Sequence, residues 1–155
     1  MKSEKHNLIL EQLDKKFESI QKVATVMSVP SNGWLNTIRK SLNMSLKQLA
    51  KKLKVTSQNV NQLEVREKDG TISLQKLKET AEALDCMLVY AIIPKSGSLK
   101  KMIELRAYNV AKEIVLRTSH TMKLEDQENS EVRIKKAVSD RTEKIKNELP
   151  KYLWD

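Results

Sequence analysis

Between Trp34 and Leu84 the chain carries four short amphipathic runs in close succession, and that pattern leaves little choice but a cluster of crossing helices. The runs cover about residues 34–42, 45–54, 56–67 and 73–84. In each, apolar side chains recur at three- and four-residue steps, the period of a helix with one buried stripe. Ser45, Thr56 and Ser73 open three of them. A hydroxyl there accepts a hydrogen bond from an amide of the first turn, and Gln48, three residues after Ser45, completes a capping box. Lys68-Asp69-Gly70-Thr71 reads as a turn, because Asp and Gly tolerate backbone conformations that a helix does not.

With only three Gly and three Pro in 155 residues, 39% apolar and 32% charged, the helical reading extends to the whole chain. From Glu4 to Val23 the residues Leu8, Ile9, Leu13, Phe17, Ile20 and Val23 form one stripe, and Pro30, Asn32 and Gly33 mark a loop after it. Beyond Ser98 one long pattern carries Leu99, Met102, Ile103, Val110, Ile114 and Val115. A second begins near Ser130 with Ile134, Val138, Ile145 and Leu149, and Pro150 ends it.

Residues 87–93, MLVYAII, are a continuous apolar run rich in β-branched and aromatic side chains, closed by Pro94 and by Ser96-Gly97-Ser98. They read as one short strand, with a buried extension of the fourth helix as the alternative. A lone strand leaves its backbone groups unpaired, and the chain offers no second strand beyond the weaker KVATV at 22–26. Leu88, Val89, Tyr90, Ala91, Ile92 and Ile93 are therefore expected to pair with the same residues of a second copy across a two-fold axis. The expected fold is mainly α, in three parts. Residues 1–32 form a helical arm, 33–86 a helical domain, and 87–155 a strand plus helices for dimerisation or partner binding.

A net charge of +9 points to an anionic partner, either nucleic acid or an acidic membrane surface. No segment has the apolar length of a membrane span, and MKSEKHNLIL lacks the apolar core of a secretory signal, so a cytoplasmic location is expected. Acidic residues nearly balance the lysines of the first helix, which weakens any membrane attraction. Cys86 is the single cysteine and His6 and His120 are the only histidines, so neither a disulfide framework nor a thiolate zinc site can be assembled, and no cofactor or metal is expected. Cys86, at the edge of an apolar run, reads as a small hydrophobe. His120, Glu125, Asp126 and Glu128 follow no ligand spacing, and neither a Gly-rich phosphate loop nor a nucleophile with its base is found. An enzyme is not expected.

The string SLKQLAKKLKVTSQNVNQLE, residues 45–64, meets the steric demands of two helices crossing through a tight turn. Leu49, Leu53, Val55, Val60 and Leu63 supply the inner face, and Ala50 is small where the helices approach. Ser57, Gln58, Asn59, Asn61 and Gln62 face outward near the start of the second helix. Asn and Gln pair with adenine through two hydrogen bonds, and the start of a recognition helix is the part that enters the major groove. Arg39, Lys40, Lys47, Lys51, Lys52 and Lys54 arrive with no acidic residue between them and suit phosphate contacts, as do Thr56, Arg66 and Lys68. Double-stranded DNA is the partner so implied. A homodimer would present two recognition helices to a palindromic site.

Residues 33–84 resemble the XRE family of Cro- and cI-repressor-like helix-turn-helix proteins. The resemblance lies in Leu49-Ala50, in Val55-Thr56 before the recognition helix, and in Glu64 closing it. It implies a lambda-repressor-like core and a transcriptional regulator, with autorepression the expected output. Leu46 stands where many relatives carry a polar phosphate contact, and Lys54 where Gly is common. More narrowly, GWLNTIRKSLNMSLKQLAKKL, TISLQKLKETAEALDCMLVYAIIPKSGSL and RTSHTMKLEDQ resemble the mobile mystery protein A family. That resemblance implies a mobile-element regulatory pair with a Fic-domain protein. The alternative function is then an antitoxin that binds and neutralises such a partner, with DNA binding as autoregulation, and the terminal Tyr152-Leu153-Trp154 as a candidate anchor. Thr121 and Glu125 have the spacing of a Fic-inhibiting motif, but Asp126 breaks it.

Overall fold

A computed structural model describes residues 2–124 and 131–155. The helices among them are α1 (Lys2–Ala24), α2 (Trp34–Ser41), α3 (Leu46–Leu53), α4 (Ser57–Lys68), α5 (Leu74–Ala83), α6 (Leu99–Leu124) and α7 (Glu131–Glu148), followed by a 3-10 turn at Lys151–Trp154. They form two compact units, residues 24–91, and residues 1–23 together with 92–155.

In the first unit, α3 packs on α4 and α5, and α2 packs on α4. Leu35, Leu49, Ala50, Val60 and Leu84 are buried at the centre, with Leu46, Leu53, Leu77 and Cys86 against them. The expected caps are in place. Ser45 accepts from the amide of Gln48 while the Gln48 side chain accepts from the amide of Ser45, and the hydroxyls of Thr56 and Ser73 accept from the amides of Asn59 and Lys76.

All four helices of this unit stop in the same way. After α3 the amide of Lys54 donates to the carbonyl of Lys51 and that of Val55 to the carbonyl of Ala50, the paired bonds of a Schellman motif. Asn43–Met44, Gly70–Thr71 and Asp85–Cys86 repeat the arrangement after α2, α4 and α5. The motif needs one residue at positive φ, and Asn43, Lys54, Gly70 and Asp85 fill that place.

The start of α2 is built differently. Gly33 precedes it at φ 79 and brings no side chain, so the Glu67 carboxylate reaches across from α4 and accepts from the amides of Trp34 and Leu35, each at 2.8 Å. A Cβ on Gly33 would lie 2.8 Å from the same carboxylate, so both the backbone angle and the space demand glycine here.

The strand expected at 87–93 does not form. Residues 86–94 have no regular structure and no strand occurs among the described residues. A strand persists only through its ladder, and the other candidate run is spent, since Lys22–Ala24 are the last turn of α1. Leu88 and Ile93 are half-buried, while Val89, Tyr90, Ala91 and Ile92 are exposed, Ile92 by 86%. Within one chain these six residues therefore have irregular backbone with no ladder partner among the described residues.

In the second unit α7 runs back along α6 around Ile103, Ala107, Ala111, Val138, Ile145 and Leu153. Leu10 of α1 packs on this core. The Asp14 carboxylate of α1 accepts from the amides of Leu99 and Lys100, and the Ser98 hydroxyl from that of Lys101, so the positive end of α6 is closed from two sides. Lys100, 2.7 Å from Glu11, holds that carboxyl below its ordinary range through the hydrogen bond it donates. At the other end Leu149 takes φ 44 before Pro150, which stops α7 where the sequence places its end. Arg106 then donates to the carbonyls of Leu153 and Asp155, fixing a terminal turn in which Leu153 is fully buried and Tyr152 and Trp154 are exposed.

Candidate nucleic-acid interface

Helix α4 divides cleanly between core and solvent. Val60, Leu63 and Glu64 are buried, and Ser57 and Glu67 half-buried beside them. At about 100° per residue, Gln58 and Gln62 fall roughly opposite that stripe, with Asn59 and Asn61 on its flanks. All four are exposed. None of their side-chain amides has a hydrogen-bond partner among the described residues, so each offers a donor pair and an acceptor. Ser57, half-buried in the first turn, is the least available of the five residues read as base contacts.

The cap on Thr56 explains why this set sits at a helix start. Its oxygen accepts from the amide of Asn59 at 3.1 Å, and the helix begins one residue later. No acidic residue lies in the first turn, so the partial positive charge of the free amides there is uncompensated and suits a phosphate or an electron-rich base edge.

Lys40, Lys47, Lys51, Lys52, Lys54, Thr56, Arg66 and Lys68 are exposed, as phosphate contacts require. Lys52 holds a surface ion pair with Asp85 at 3.2 Å, exposed enough to be exchanged for another anion at little cost. Arg39 is different. It is only 7% exposed, and its Nε and Nη2 donate to the Glu64 carboxylate while Nη1 donates to the carbonyl of Met44. The hydrogen bond that Arg39 donates to Glu64 raises the Arg39 pKa further against the opposing effect of burial. Arg39 is therefore withdrawn from the phosphate set, because a buried guanidinium must keep its carboxylate.

One further expectation changes. Val55, placed on the inner face by its spacing, is 39% exposed, since the left-handed residue before it turns the chain out of the helix register. Leu46 packs against the core, which accounts for an apolar residue at a place where a phosphate contact is common. The Asn36–Glu64 hydrogen bond and the Glu67 cap lie beyond what helix spacing predicts. Glu64 and Glu67 lie four and seven residues after Val60, on the core stripe itself, and an acid on a buried stripe signals a buried partner.

His120 and Thr121 are exposed on α6, and Glu125, Asp126 and Glu128 lie outside the described residues. No helix among the described residues is long and apolar enough to cross a membrane.

Residues 35–90 match a helix-turn-helix family. The match takes in α2 to α5 and supports the XRE-type resemblance, and with it DNA binding in transcription regulation as the general role of this unit. Comparison with curated proteins and with solved structures yields no match.

Proposed function

We propose that the chain is a repressor of its own promoter region, reading an inverted repeat as a homodimer. Gln58, Asn59, Asn61 and Gln62 read base edges from the start of α4. Lys40, Lys47, Lys51, Lys52, Lys54, Thr56, Arg66 and Lys68 bind the flanking phosphates.

One observation carries this reading: four neighbouring side-chain amides are exposed and unpartnered on the face of α4 turned away from its core. A solvated helix face gains nothing from such a set over Lys and Glu. A major groove does, since Asn and Gln meet adenine with two hydrogen bonds each. The surrounding lysines provide the salt-sensitive attraction that holds such a helix against a duplex.

Footprinting on the DNA upstream of the gene tests the proposal. The expected result is protection of an inverted repeat whose half-sites are separated by about one helical turn, or a multiple of it. Binding of equal strength to unrelated duplexes of the same length overturns it.

A further inference from the structure

A second surface lies on α6 and α7, far in sequence from the amides of α4. Between the two helices runs an open groove of about 750 Å3 whose floor is apolar: Leu105, Tyr108, Leu116, Ile134 and Val138. Leu105 is 50% exposed, and Tyr108 and Leu116 nearly as much. The core of this unit uses another face of α6, that of Ile103, Ala107 and Ala111. At about 100° per residue the groove face lies roughly two fifths of a turn from it. One helix thus carries two apolar faces, only one of which is covered within the chain.

Four charged side chains line the groove, and their order is informative. Glu104 and Glu143 stand toward one end of the lining, Lys112 and Lys135 toward the other. Because α7 runs back along α6, the acid-to-base step is the same on both helices, eight residues or about 12 Å. Lys146 compensates the acidic end in part, 2.9 Å from Glu143 and 3.8 Å from Glu104. Lys112 and Lys135 form no ion pair among the described residues.

A surface with apolar middle, acidic end and basic end is complementary to itself after a half-turn. A two-fold axis across the helices brings Glu104 and Glu143 of one copy to Lys112 and Lys135 of the other, twice over, and lays the two apolar floors together. We propose that this groove is the homodimer face and that its occupant is the same groove of a second copy. With the paired reader proposed above as its premise, the pairing comes from α6 and α7 and not from residues 88–93.

The test is sedimentation of the full chain without DNA, for the wild type, for K112E/K135E and for E104K/E143K. The wild type is expected to dimerise in the micromolar range or tighter. Each charge variant alone sets like charges together at both ends, so its dimer weakens about tenfold or more. Mixed one to one, the two variants regain dimerisation as a heterodimer, because every facing pair is again opposite in sign. Circular dichroism checks that each keeps its helices. Where the acidic-end reversal crowds Lys146 and lowers helix content, Leu105→Lys reads the same face.

A wild type that stays monomeric up to about 100 µM overturns the proposal, as does a dimer indifferent to both reversals and to their mixing. A monomer that still protects single half-sites removes this face and leaves base reading by α4 intact. A charge-sensitive dimer that protects no specific sequence does the reverse.

Discussion

Arg39 and Glu64 meet in a two-pronged ion pair, Nε to Oε1 at 2.5 Å and Nη2 to Oε2 at 3.0 Å, with both side chains buried. The Asn36 amide donates to the same carboxylate, so α2 is fastened to α4 by three donors on one acceptor group. Removing one partner of such a pair is far more damaging than replacing both, because the survivor keeps its desolvation cost. Glu64→Leu alone should therefore lose about 3–5 kcal/mol in urea unfolding, and Arg39→Met together with Glu64→Leu should recover most of it. The double variant should also bind DNA with an unchanged salt dependence. A salt slope shallower by about one charge would return Arg39 to the phosphate contacts.

Glu67 makes the second fastening, through the amides of Trp34 and Leu35. No other side chain among the described residues caps the start of α2. Glu67→Ala should cost about 1–2 kcal/mol, the range of a lost charged cap, and Glu67→Gln somewhat less since one acceptor oxygen remains. Gly33→Ala should cost about as much by a different route, the left-handed backbone and the close carboxylate. Urea denaturation of the three variants decides, and a stability loss within about 0.5 kcal/mol for Glu67→Ala would mean that water serves those amides equally well.

The helices of residues 34–84 were readable because local chemistry announces them: a hydroxyl at the start, an apolar stripe, a turn residue after. Ser45, Thr56 and Ser73 cap where expected. What spacing did not yield was long-range pairing. Arg39 stands beside Lys40 at the head of a lysine-rich stretch and reads as one more surface cation. Its place four residues after Leu35, on the buried stripe of α2, was the clue, and Glu64 occupies the matching place on α4. Residues 87–93 failed for the opposite reason. Their composition favours a strand, but composition does not supply the partner that makes one. The outward amides of α4 were legible because exposure opposite an apolar stripe follows from helix period alone.

Lys54 is the odd member of the four left-handed helix ends of the first unit, where Asn, Asp and Gly stand elsewhere. A lysine at φ 56 bears a steric cost that glycine does not. Lys54→Gly should raise stability by about 0.5–1 kcal/mol after the entropy of glycine is subtracted. If Lys54 is retained for its charge at the turn, the same variant should bind DNA less tightly, with a salt slope shallower by about one. Stability and affinity moving in opposite directions is the expected signature. An unchanged slope would remove Lys54 from the phosphate contacts and leave its conformation without a functional reason.

Gln58 and Asn61 are the sharpest probes of base reading, because alanine at either place removes an exposed amide without touching the core. Gln58 lies opposite the buried stripe and Asn61 on its flank, so under the proposed reading the two would address different base pairs. Each single alanine should weaken binding to the protected repeat by about 1–3 kcal/mol and relax the sequence preference at one position of each half-site. Binding to an unrelated duplex should change little, since phosphate contacts supply it and neither amide carries charge. Lys47→Ala should show the converse pattern, a nearly uniform loss across all duplexes and a shallower salt slope. Competition binding with single-base variants of the repeat, at two salt concentrations, separates the patterns. Equal losses on specific and unrelated DNA for Gln58→Ala and Asn61→Ala would move sequence reading away from the start of α4.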